Sequence, residues 1–198
     1  MIGRVSFVFF ATLCLATSAQ AKEGFILGQP SQLETSIWED AAAAPVRFQI
    51  DPAFSPEQKA LIERAVSLIP SSQRLNLNGL RFVRSNQLDG PLDECTEGFY
   101  PGNGSIVLYP RCGFGAHIVV HEIFHHLGRF GNLNSLWKSR VLKKFPACPV
   151  SEYAAEGLGI NNEDLAETGR LLLVPESGDR NPGACVDGKV AELRKILY

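Results

Sequence analysis

The stretch Ala116–Gly131, AHIVVHEIFHHLGRFG, holds all four histidines of the 198-residue chain. Its apolar residues Ile118, Val119, Ile123, Phe124 and Leu127 cover much of a helical circumference, so the spacing predicts a buried helix over Gly115–Arg129. Within it, His121-Glu122-Ile123-Phe124-His125 reads H-E-x-x-H. Four residues turn a helix by ~400° and advance it ~6 Å, so His121 and His125 point the same way, one turn apart. Two neutral imidazoles at that spacing suit one zinc ion. Glu122 stands beside the first ligand, where its carboxylate reaches a water rather than the ion. There it can take the water's proton and later give it to a leaving amine. His117, one turn before His121, is a weaker candidate for the same site. His126 points ~100° away from His125 and is expected at the surface or in a supporting position.

A catalytic zinc needs a third protein ligand and an open position for water. An extended metzincin pattern would place a histidine at Gly131, and it would add a methionine turn. No histidine follows His126, and the one methionine is Met1. The third ligand is therefore expected to be a downstream carboxylate. The segment Ser151–Leu173, SEYAAEGLGINNEDLAETGRLLL, offers Glu152, Glu156, Glu163, Asp164 and Glu167. Asn161 or Asn162 can cap a helix running to Val174, with Glu163 and Glu167 one turn apart on one face. Such a pair is either a solvated acidic face relieved by Arg170, or a ligand at Glu163 with Glu167 orienting a histidine through its second ring nitrogen.

HEIFHHLG followed by SEYA and NNEDLAET resembles the zincin-like, gluzincin-type peptidases of the anthrax lethal factor type. The resemblance covers two short segments and none of the first 110 residues. It implies one zinc per chain held by His121, His125 and Glu163, with Glu122 as general base. It also implies that Tyr153 stabilises the oxyanion formed when water attacks a carbonyl. The gap from Tyr153 to Glu163 is a few residues longer than the family's pattern.

The first residues, MIGRVSFVFFATLCLATSAQA, carry Arg4, a short apolar run and a small-x-small site at Ala19–Ala21, which predict a signal peptide over residues 1–21. That run is too short to span a bilayer, which takes about 20 residues, so no stable membrane anchor is expected after cleavage. Residues 22–198 then suit a single domain. Loss of Arg4 leaves 18 basic against 21 acidic residues, a net charge of −3, with no basic footprint for nucleic acid. Cys95, Cys112, Cys148 and Cys185 remain, read as Cys95–Cys112 and Cys148–Cys185 bridges in an exported, periplasmic or secreted protein.

An arm after the cleavage site leads into a strand over Val46–Asp51. A helix follows, capped by Ser55 and Pro56, stopped by Pro70, with Ala60, Leu61, Ala65, Leu68 and Ile69 on one face. Strands are expected at Leu80–Val83 and Ser105–Tyr109, the second entered by a turn at Asn103-Gly104, with loop between. Further helices are expected over Asn132–Lys144 and Gly188–Leu197. Strands early and helices late predict an α+β domain with a small antiparallel or mixed sheet. SIVLY comes just before the metal helix, where zincin folds place an edge strand, so the resemblance implies that it pairs with an extended peptide. The expected function is hydrolysis of a peptide or protein substrate by an exported zinc metallopeptidase. The rivals are a zinc amide hydrolase acting on cell-wall material and a non-catalytic zinc-bearing binding module on a zincin scaffold.

Overall fold

Residues 46–86, 98–111, 113–156, 162–176 and 180–198 are described by a computed structural model. The expected signal peptide, the arm after it and the Cys95–Cys112 bridge lie outside these residues. The chain begins with strand β1 (Gln49–Ile50), helix α1 (Pro56–Leu68) and short helix α2 (Ser71–Arg74), which continues into a 3-10 turn at Leu75–Leu77. Strands β2 (Arg81–Arg84), β3 (Gly98–Phe99) and β4 (Ser105–Leu108) follow. The second half is helical: α3 (Ala116–Phe130), α4 (Leu133–Leu136) with a π-helical segment at Trp137–Leu142, α5 (Glu152–Glu156), α6 (Glu163–Leu173) and α7 (Ala184–Leu197). This is an α+β arrangement, as the element order predicts.

The sheet is mixed, in the order β1-β2-β4-β3. β1, β2 and β4 run parallel, with Ile50 opposite Phe82 and Phe82 opposite Ile106. β3 runs antiparallel to β4, pairing Gly98 with Leu108 and Phe99 with Val107. The expected edge strand SIVLY is therefore interior, and among the described residues the edge strands are β1 and β3. Two residues, one of them glycine, carry no period and little strand propensity, so β3 leaves no sequence signal. The turn into β4 forms as expected, with Gly104 at φ +77° and Asn103 Oδ1 accepting from the Ser105 amide at 3.0 Å.

α1 starts at a full capping box. The Ser55 hydroxyl accepts from the Gln58 amide, Gln58 Oε1 accepts from the Ser55 amide, and Pro56 opens the first turn. Its buried face is Ile62, Ala65, Val66 and Ile69, while Ala60 is exposed and Leu61 only half-buried, so the predicted face is off by about one position. Ile62 and Val66 meet the core at i and i+4 spacing, which the β2 and β4 side chains Phe82, Ile106 and Leu108 complete from the sheet side.

The contact that matters most for function is α3 against α6. Gly169 of α6 faces the Phe124 ring, and a Cβ there would lie 2.3 Å from ring carbons. Gly128 of α3 faces Leu165, whose Cδ2 would stand 3.2 Å from a Cβ. Glycine inside a helix loses about 1 kcal/mol of propensity, which the close approach of two buried helices offsets. α6 is anchored in turn by α7. The fully buried Lys189 ammonium donates to Asp164 Oδ2 at 2.6 Å and lies 5.8 Å from the Trp137 ring centre. The Cys148–Cys185 disulfide forms as expected and ties the segment before α5 to the first turn of α7. That turn precedes the expected helix start at Gly188, because Gly183 at φ +130° starts the helix early enough to include Cys185. Among the described residues no helix is long and apolar enough to cross a membrane.

Candidate metal centre

α3 places His121 and His125 on one face with their Nε2 atoms 3.0 Å apart. Because α6 crosses α3 at Gly169 and Gly128, its first residue, Glu163, arrives beside them. Glu163 Oε2 lies 3.1 Å from His121 Nε2 and 3.2 Å from His125 Nε2. Three electron-pair donors from two helices thus form a nearly equilateral triangle, and His121, His125 and Glu163 are a group able to hold a metal ion. Tetrahedral zinc with bonds of ~2.0–2.1 Å sets its ligand atoms about 3.3 Å apart, so the donor spacing fits.

The second ring nitrogen of His121 has a fixed role. Nδ1–H donates to Glu167 Oε1 at 2.8 Å, which turns Nε2 towards the triangle. Glu167 is itself held by the Ser151 hydroxyl at 2.8 Å and by Arg170, whose Nε and Nη2 donate at 3.0 and 2.9 Å. Glu167 and Arg170 are both buried, so this is not the solvated acidic face that the i,i+3 and i,i+4 spacings also allowed. Arg170 meets Glu167 at the i,i+3 spacing that the sequence shows, whereas Ser151 gains its role from tertiary contact, which no periodicity announces.

The electrostatics of the triangle call for a positive charge. Burial pushes the His121 imidazole down, yet hydrogen bonds to Glu163 and Glu167 outweigh it and carry its pKa up to about 9. Burial also pushes the Glu163 carboxyl up, but bonds from His121 and His125 hold it at about 2. His121 and Arg170 outweigh burial in the same way at Glu167, also at about 2. Two carboxylates kept ionised around a histidine kept protonated describe a centre where a proton takes the place of a cation.

Glu122 lies outside the triangle and next to it. It is buried between α3 and β3, where a Cβ on Gly98 would meet its Cγ and Oε1 at 2.9 Å. Its Oε2 is buried with no hydrogen-bond partner, and burial raises its pKa. A buried carboxylate oxygen left open in this way calls for a partner that is not protein, such as water or substrate. Tyr153 on α5 reaches the site in spite of the long gap before Glu163. Its ring centre is 5.7 Å from that of His121, and it is exposed to the cleft. The cleft, about 660 Å³, is walled by Phe99 and Tyr100 next to β3, by Glu122, His125 and Arg129 of α3, and by Tyr153 and Glu163.

The remaining two histidines stand apart. His126 is buried rather than at the surface: its Nε2–H donates to the Asn76 carbonyl at 2.8 Å, and Tyr100 O–H donates to Nδ1 at 3.1 Å. Burial lowers its pKa, so it stays neutral and positions Tyr100 at the cleft wall. His117 packs against Gly115 and is not part of the metal-binding group. Compared with protein-family models, curated proteins and solved structures, the chain matches none.

Proposed function

We propose that this chain is an exported zinc-dependent peptidase of the zincin type, with one zinc held by His121, His125 and Glu163. The observation that carries the reading is the triangle of donors at 3.0 to 3.2 Å with an unpartnered, buried Glu122 carboxylate beside it in an open cleft. A purely structural zinc site usually fills four protein ligands and has no use for such a group. The Cys148–Cys185 bond supports an oxidising compartment.

Zinc, when bound, supplies a Lewis acid for the scissile carbonyl and makes water acidic enough to react near neutral pH. The chain's own groups do the rest. Glu122 Oε2 accepts the proton of the attacking water and delivers it to the leaving amine nitrogen. Its raised pKa brings it closer to the working range of a general base. Glu167 keeps His121 in the tautomer with its proton on Nδ1. The Tyr153 hydroxyl donates to the developing oxyanion from the exposed side of the cleft. Phe99 and Tyr153 offer aromatic surface to side chains of a bound peptide.

The test is metal analysis of the purified protein joined to an activity screen. One zinc per chain is expected, with loss of metal in His121→Ala and His125→Ala. Cleavage of a degenerate peptide library should stop with a chelator and return with added zinc. Full zinc retention in both variants, or cleavage indifferent to the chelator, defeats the reading.

A further inference from the structure

Arg129 follows His125 by four residues, so two successive turns of α3 present one face to the same cleft. Among the described residues that line the cleft, Arg129 is the only one with a permanent positive charge. It is exposed, and it forms no ion pair with any described carboxylate. Its guanidinium lies against the backbone between β3 and β4. It rests on the turn at Gly102, whose φ is +80°, and a Cβ there would meet Nη1 at 2.6 Å and Cζ at 2.8 Å. Only bare backbone fits under this side chain, and bare backbone is what the turn supplies.

A second group in the same cleft is left open. Asn134, on α4 just after α3, lines the cleft with its Oδ1 buried and without a hydrogen-bond partner. An exposed guanidinium with no ion pair to any described carboxylate suits the side-chain carboxylate of an acidic residue within a peptide, and Asn134 adds a polar group to the same wall. A dication held by His121, His125 and Glu163 would offset the Glu163 charge and so limit its competition for Arg129.

Resting on the peptidase reading above, we infer that Arg129 is a specificity residue that selects peptides with an aspartate or glutamate close to the scissile bond. Arg129 stands one helical turn, ~6 Å along the axis, beyond His125. An extended substrate advances ~3.3 Å per residue, so the acidic side chain falls about two residues from the cut. The carboxylate is a side chain, held by the two outer nitrogens of the guanidinium, and no bond to it forms or breaks.

The experiment uses end-capped degenerate peptide pools with Glu, Gln or Lys fixed at one position, cut by the zinc-loaded protein and read by mass spectrometry. The Glu pool should be cut with a kcat/KM about tenfold or more above that of the Gln pool, with Glu about two residues from the cut. Arg129→Ala should bring the Glu-to-Gln ratio near one, and Arg129→Glu should turn the preference toward Lys. The ratio reads selectivity even where the overall rate falls, and zinc content verifies that each variant is intact. In a second arm, fluorescein-labelled Glu and Gln pools are titrated into Glu122→Gln protein, and anisotropy should rank them in the same order. Equal cutting of the Glu and Gln pools by wild type, or a Glu preference that survives Arg129→Ala, overturns the inference and leaves the peptidase reading standing. If no pool is cut, the peptidase reading fails, and the anisotropy arm decides Arg129 alone. Glu-selective binding lost in Arg129→Ala, Glu122→Gln protein supports its role, and equal binding overturns it.

Discussion

Glu163 and Glu167 lie one turn apart on α6, yet their removal should damage different properties. Glu167 accepts four hydrogen bonds on two oxygens, from His121, Ser151 and twice from Arg170. Its side chain and that of Arg170 are only 8% and 4% exposed, so Glu167→Ala removes an ion pair and two hydrogen bonds from a buried guanidinium. Breaking a buried pair by removing one partner costs about 3–5 kcal/mol, which for a chain of this size lowers Tm by of order 10 °C. Its effect on zinc is indirect, through the freed His121 ring, and should be about 10–100-fold in affinity. Glu163→Ala instead removes a direct donor and should weaken zinc far more than that. In the metal-free variant the buried, protonated His121 keeps Glu167 as its carboxylate partner, so this variant should melt closer to wild type than Glu167→Ala does. Both variants would be measured by thermal unfolding without metal and by zinc titration against a competing chelator. Equal loss of affinity in the two, or stronger loss in Glu167→Ala, would refute the assignment of the ligand to the first turn of α6.

Three further outcomes follow from the same contacts. In the metal-free protein, the raised His121 pKa contributes stability that is full below about pH 6.5 and is lost as pH rises through about 9. The depressed pKa values of Glu163 and Glu167 contribute stability that is full above about 4.5 and is lost as pH falls through about 2, so unfolding scans should show a plateau between pH 4.5 and 6.5. Added zinc should remove the alkaline fall by displacing the His121 proton, and a fall unchanged by zinc would argue against His121 as a ligand. Cys148 and Cys185 should resist alkylation under denaturing, non-reducing conditions, and reduction should lower stability by about 4 kcal/mol for a separation of 37 residues. Alkylation of both thiols without reductant would contradict the bond. Gly169→Ala should cost about 1–3 kcal/mol by pressing on the Phe124 ring and should weaken zinc as α6 is pushed from α3, and a variant with wild-type stability would show that the helix contact is looser than described.

The metal helix was readable because its information is local: two histidines in register, a glutamate between them and apolar residues over most of the surface. The pairing of Glu163 as donor with Glu167 behind His121 was one of two readings that the spacing on one helix allowed, and the family resemblance pointed to it. What joins them was not readable. Gly169 against Phe124 sets the helix crossing, and a glycine inside a helix reads as a weakness until its partner is known. β3 was missed because a Gly-Phe pair has no period, and with it went the identity of the sheet edge, although Gly98 is where Glu122 packs. His126 takes the supporting place rather than the surface place, a choice that helical phase left open because it gives a direction and not what stands there. Asn76 and Tyr100 come from distant parts of the chain to bury it. The π-helical segment at Trp137–Leu142 replaced part of an expected regular helix, and its buried Trp137 and Val141 keep the same i,i+4 spacing.

Glu122 is the residue on which the account turns, since it alone separates a hydrolytic centre from a zinc-bearing scaffold. Glu122→Gln preserves shape and removes the proton acceptor. Zinc content and Tm should match wild type, because Glu122 lies outside the donor triangle. The rate of cleavage of a peptide cut by wild type should fall by about 10²–10⁴-fold. A variant that keeps its zinc and cuts that peptide as fast as wild type contradicts the account.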